Sequence, residues 1–253
     1  MRAYLLGVMV LGLAVIVLPQ AAQADWYAGE SHKMHYPQMP DPNGWDIEIL
    51  TSQHEVADDW QCSGSGPVSD IHFWTSWAQD KVGKIDRVIA TIYGNISQSG
   101  QQPFSRPGDE LWTGTFDGNL NQFKVIDPYG FGAQGFADPQ QPFWTWPDHE
   151  RYQQINIENI PNAFDQVKGE IYWLGLYVEW EGTQSPVGWK TSQDHFMDVA
   201  VYKSLLGAWV PLYAPAEMPK PLDMAFVITP EPATMALLGL GVAGLVARRR
   251  NKK

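Results

Sequence analysis

A single cysteine, Cys62, stands among 253 residues, so no intramolecular disulfide can staple this fold. The core must hold itself. No neighbouring basic residue or C-x-x-C partner activates that thiol, and a buried structural role is favoured over a crosslinking or nucleophilic one. Basic residues are scarce as well. Between residues 25 and 229, eleven Lys and Arg stand against twenty-seven Asp and Glu, a net charge of −16. Such a surface repels phosphate, which argues against a nucleic-acid partner; neutral glycans, cations and basic proteins stay admissible. Metal-ligand spacing is missing too. His32 and His35 are three apart with no H-E-x-x-H pattern, and Asp41-Pro42-Asn43-Gly44-Trp45-Asp46 lacks the ligand ladder of a calcium loop. No metal or cofactor is therefore assigned.

Long apolar runs are absent from the interior and occur only near the two ends. Arg2, the run Tyr4 to Leu18 and the small-x-small triplet Ala22-Gln23-Ala24 have the layout of a signal peptide, residues 1–24, cut by signal peptidase to leave Asp25 first. Near the other end, Pro232 to Ala247 would span about 24 Å as a helix, against about 30 Å of bilayer core. Local thinning and snorkelling of flanking arginines meet the shortfall, which makes a single transmembrane helix. Arg248, Arg249 and Arg250, with Lys252 and Lys253, place its far end in the cytoplasm. Two prolines keep Pro230-Glu231-Pro232 extended at the membrane surface, where a protease can grip it.

That order of tripeptide, short helix and basic cluster over 230–253 resembles the PEP-CTERM sorting signal of Gram-negative bacterial surface proteins. The resemblance implies recognition by an exosortase, cleavage near Pro230, Glu231 and Pro232, and transfer toward the cell surface or exterior after transient anchoring in the inner membrane. The tail would be substrate, not catalyst.

Residues 25–229 form one domain by length, with no linker and no repeat. Trp45, Ile47 and Ile49 alternate with Asp46 and Glu48, and Ile155 and Ile157 with Gln154, Asn156 and Glu158, as in half-buried strands. Ile71, Phe73 and Trp77 share one face. Further strands are expected within 84–96, 122–126, 170–180, 196–202 and 223–228, separated by Gly, Pro, Asn and Asp turns. The absence of amphipathic helices favours an all-β fold, an antiparallel β-sandwich of jelly-roll type, with its topology open.

Tryptophan is the excess that balances these absences, at twelve residues. Indole faces pack on the C–H faces of sugars, which makes Trp144, Trp146, Trp173 and Trp189 candidates for a ligand surface. Trp173 lies in a strand apolar on both faces, one of them free as a platform or both covered. Trp144 and Trp146, in a Pro-rich loop, are either exposed or cap the core. Catalysis has no such focus. Asp58-Asp59, Asp109-Glu110 and Glu179-Glu181 are merely neighbours in sequence, whereas a glycoside hydrolase needs two carboxylates at a set spatial distance, so no catalytic residue is assigned.

Three segments, Asp58-Asp59-Trp60-Gln61-Cys62, Ser105-Arg106-Pro107-Gly108 and Gly188-Trp189-Lys190-Thr191-Ser192 running to His195, resemble an uncharacterised Trp-rich domain of bacterial PEP-CTERM proteins. The resemblance implies a common sandwich and names no activity; Asp198-Val199 departs from its paired acidic residues. Ser105 to Gly108 suits a tight turn, and Trp189 with Lys190 either shapes a surface or closes the core. The expected protein is an exported, exosortase-processed component of the surface or extracellular matrix, structural or adhesive and not an enzyme. The alternatives are a carbohydrate-binding module for neutral extracellular polysaccharide and a secreted polysaccharide hydrolase.

Overall fold

The computed structural model describes residues 35–141, 143–180, 185–215 and 220–229. The expected signal peptide, the tripeptide Pro230-Glu231-Pro232, the transmembrane helix and Arg248, Arg249 and Arg250 lie outside the described residues. Among the described residues no helix is long and apolar enough to cross a membrane. The described residues are all-β, and the helical elements among them are three 3-10 turns of three residues each.

The first half contributes β1 (Trp45–Glu48), β2 (Val56–Gln61), β3 (Gly66–Pro67), β4 (Asp70–Trp77), β5 (Arg87–Ile96), β6 (Arg106–Asp117) and β7 (Lys124–Asp138). Then come β8 (Phe143–Ile157), β9 (Asp165–Gln166), β10 (Ile171–Glu179) and β11 (Val187–Ser192). The last are β12 (Val201–Lys203), β13 (Trp209–Pro211), β14 (Asp223–Met224) and β15 (Phe226–Thr229). Seven strands form one sheet in the order β14-β11-β1-β7-β8-β4-β15, and six form another, β13-β12-β2-β10-β5-β6.

The larger sheet closes on itself. One edge of β11 meets β1, with Lys190 opposite Asp46, and the other meets β4, with Gly188 opposite Ser76. Since β1 pairs with β7, β7 with β8 and β8 with β4, the strands β11, β1, β7, β8 and β4 make a five-strand ring. Space inside is tight. A Cβ on Gly188 would lie 2.9 Å from Asp46 Cβ and 3.0 Å from the Phe136 ring, so only glycine fits there. The expected antiparallel pairing is broken between β1 and β7, which run parallel. Between them in sequence the chain builds β2, β4, β5 and β6, a connection long enough for a parallel return.

One hydrophobic cluster draws on both sheets: Ile47, Phe73, Ile155 and Trp189 from the ring, and Trp60, Ile92, Leu174 and Val178 from the six-stranded sheet. Trp60 meets Phe226 edge-on at 6.2 Å between centroids, which joins the two sheets directly. Each such side chain contributes about 1.5–3 kcal/mol by burial. The alternation expected for half-buried strands takes another form here. Among the polar partners of the apolar positions, Asp46, Gln154 and Asn156 are fully buried and Glu48 and Glu158 half-buried, because ring closure encloses much of the second face. Ser105 to Gly108 is not a tight turn: Ser105 leads into β6, and Arg106 to Gly108 are its first residues. Pro107 is tolerated there because β6 is an edge strand, where a missing N–H need cost no ladder bond.

Candidate functional site

Trp144 and Trp146 are two apart on β8, so strand periodicity points both indoles the same way. They are not in a loop. Each is nearly half exposed, Trp144 at 46% and Trp146 at 43%. Trp45, at the start of β1, packs between them, edge-on to Trp144 at 5.8 Å and tilted against Trp146 at 5.1 Å. Gly135 of β7 lies opposite Trp45 in the register. A side chain there would run into both the Trp45 and the Trp146 rings, so the absence of one lets the indoles nest.

Two hollows flank this row of rings. The first, about 450 Å³, is lined by Trp45, Trp146, Asp41, Asn43, Gln193 and His195 among others. Its polar wall is preset: Gln193 Nε2 donates to Asp41 Oδ1 at 2.9 Å, and the Asn43 amide donates to the same oxygen at 2.9 Å. The second, about 510 Å³, is more apolar and includes Trp144, Ile47, Tyr202, Leu212, Tyr213 and Pro215. Rings with flanking polar groups form a surface that can stack flat apolar faces while hydrogen-bonding their hydroxyl rims.

The ring interior carries a different chemistry. Lys190, Asp46 and Gln134 are fully buried, with His149 and Ser76 nearly so. Lys190 Nζ lies 3.3 Å from Asp46 Oδ2, and His149 Nε2 lies 3.1 Å from the same oxygen. Burial alone would raise the Asp46 carboxyl, but the Lys190 charge and bonding from His149 hold it below its ordinary value. Burial lowers Lys190 despite the attraction of Asp46. For His149, burial is outweighed by bonding to Asp46 and Asp148, and its pKa rises. The two shifts of the ion pair do not mirror each other because Asp46 has two cationic neighbours, whereas the ammonium has one carboxylate in contact.

A group of carboxylates sits around β2. Asp58 points toward the core, where Gln38 Nε2 and the Met224 amide each donate to its Oδ2 at 2.6 Å. Asp59 points the opposite way and is buried, with no well-formed hydrogen bond to either carboxylate oxygen, although the backbone amides of Asp198 and Asp59 itself lie near enough to lower its pKa slightly. Burial, with the charges of Asp198 and Asp223 beside it, pushes Asp59 up to about 8. Among the described residues no set of three His, Cys, Asp or Glu is placed to hold a metal ion.

The structure separates the four candidate tryptophans. Trp144 and Trp146 come together at the surface; Trp173 and Trp189 are fully buried and offer none. Trp173 Nε1 donates to Asn95 Oδ1 at 2.9 Å, and Phe104 and Trp209 pack against its cluster, so the second face of β10 is covered by Phe104 just before β6 and by the edge strand β13 of its own sheet. Trp189 donates to the Ala225 carbonyl at 2.8 Å and faces the inter-sheet core. Cys62 is buried, as expected, its Sγ 2.8 Å from the Gly64 carbonyl, and burial raises its thiol. Sequence reasoning missed Trp45 as the middle of the row. The signal available was the pairing of an exposed Trp-x-Trp with a glycine-bearing strand that gives the rings room.

Residues 34–229 match the family model described as "Domain of unknown function (DUF7901)", and residues 229–250 the one described as "PEP-CTERM protein-sorting motif". Neither a curated protein nor a solved structure matches the chain.

Proposed function

We propose a function from one premise: the chain belongs to the DUF7901 family and carries a PEP-CTERM sorting motif. The motif implies export to the cell surface or exterior and processing by an exosortase. In our reading, the segment after the tripeptide holds the protein briefly in the inner membrane, and processing then releases an ectodomain whose two sheets stack as a β-sandwich. That ectodomain has an adhesive, structural role: it grips neutral extracellular polysaccharide on the row Trp144, Trp45 and Trp146.

The carrying observation is the exposure of Trp144 and Trp146 side by side against Trp45. Large exposed rings on a folded strand cost hydrophobic free energy unless something covers them. The net charge of −16 between residues 25 and 229 disfavours an anionic polymer, which leaves a neutral one. Affinity electrophoresis of the full chain in gels containing neutral glucans, mannans or the host's own exopolysaccharide tests this. Retardation should fall about tenfold in affinity for Trp144→Ala and for Trp146→Ala, as expected for loss of roughly 1–1.5 kcal/mol of ring packing. Mobility unchanged by every polysaccharide, or retardation that survives the double substitution, overturns the reading; release of reducing ends would favour a hydrolase instead.

A further inference from the structure

The ring interior holds a lysine for which polysaccharide binding has no use. Lys190 Nζ donates to Gln134 Oε1 besides facing Asp46, and all three residues are closed off from solvent. The Gln134 amide is held at both ends. Its Nε2 donates to the carbonyls of Gly132 at 3.1 Å and Glu150 at 2.7 Å, while Oε1 also accepts from Ser76 Oγ at 3.1 Å. Two donors on one carbonyl oxygen polarise its carbon toward attack. The ammonium has three protons to place, and Gln134 Oε1 takes one of them, so the immobilised amide is held in contact with the amine.

We propose that Lys190 and Gln134 become joined by an autocatalytic isopeptide bond, which ties β11 to β7 across β1. The Asp46 carboxylate takes a proton from the Lys190 ammonium and frees the Nζ lone pair. Nζ forms a bond to Cδ of Gln134, the Cδ–Nε2 bond breaks, and Nε2 departs. Two protons in all pass from Nζ to the departing nitrogen, the first through Asp46, so the leaving group is ammonium and the charge of Lys190 leaves with it. No oxidant, reductant or second substrate is consumed.

Enclosure favours each stage. Contact between reactants replaces a bimolecular encounter, and exclusion of water suppresses competing hydrolysis. Asp46 keeps a counterion after the lysine charge is lost, because His149 stands on the same oxygen and Asp148 lies 3.0 Å from its Nδ1. The bond would close a loop between residues 56 apart, a covalent closure that one cysteine cannot supply.

Peptide mapping of the full chain, isolated from the native envelope in detergent and digested with trypsin, decides the matter. The expected product joins residues 125–151 to residues 169–203, uncut after Lys190 and lighter than the two peptides together by one ammonia. Separate peptides 125–151 and 169–190 overturn the proposal, as does a product that instead joins residues 34–81 to 169–203 with a deficit of one water, which would mark a bond to Asp46. Lys190→Arg keeps the positive charge but should give only unjoined peptides and a slower band than wild type on a denaturing gel. A wild-type chain that runs level with this variant also overturns it.

Discussion

Replacing Asp59 by Asn should stabilise the protein, and increasingly so as pH rises. Asp59 is buried on β2 opposite Trp173, with no well-formed hydrogen bond to either carboxylate oxygen. Its pKa stands at about 8 against an ordinary 3.8. Over that interval the native state keeps a proton that the unfolded chain releases. Stability therefore falls as pH rises from about 4 to about 8, by at most about 1.4 kcal/mol per pH unit, and below about pH 4 the penalty vanishes. At about pH 7.5 the ceiling is roughly 5 kcal/mol. Proton sharing with Asp58 and Asp223 brings the expected gain to about half of that. Asparagine keeps the volume, and its amide can donate toward Asp198. Urea unfolding of the full chain, followed by tryptophan fluorescence at pH 5, 6.5 and 8, should show a wild-type midpoint that drops with pH and a variant midpoint that is higher and flatter. A variant less stable than wild type at pH 8, with parallel slopes, would refute the argument that unpaired burial raises this carboxyl.

Gly135→Ala should push Trp45 and Trp146 apart and weaken polysaccharide retardation while costing about 1–3 kcal/mol of stability as overpacking; unchanged retardation in the same gels would contradict the nesting. Trp173→Ala should destabilise by about 3–5 kcal/mol yet leave retardation intact in whatever folds, since this ring presents no surface. Native Cys62 should resist a thiol-specific dye until denaturant is added, given its burial and raised thiol pKa.

Alternation made β1, β4, β5, β8 and β10 legible, because apolar residues at period two have one physical reading when helical spacing is absent. What stood opposite those residues was not. Asp46, Gln154 and Asn156 have the composition of a solvent face, and only the pairing of β11 with β4 turns that face inward. Such closure depends on register between distant segments, which single-strand patterns do not encode. The strand β6, and β7 beyond the expected stretch at 122–126, hid behind Pro107, Gly114, Pro128, Gly130, Gly132 and Gly135, residues that read as turns. Pro147 hid Trp144 and Trp146 in the same way, so the exposed rings were found but their strand was not. Trp45 and the two hollows needed three dimensions, since the rings come from strands almost a hundred residues apart.

The shut ring also governs how copies of this protein can meet outside the cell. Chains crowded in a surface layer tend to polymerise through open backbone edges, and the larger sheet ends in only β14 and β15, of two and four residues. The long open margin is β6, which interposes Pro107 and exposes Asp109 and Glu110. A neighbour trying to zip on there would meet a gap in the amide ladder and repulsion between like charges. Neighbouring molecules are thus steered to associate through side chains, or through a polymer that several of them hold, and not by fusing sheets.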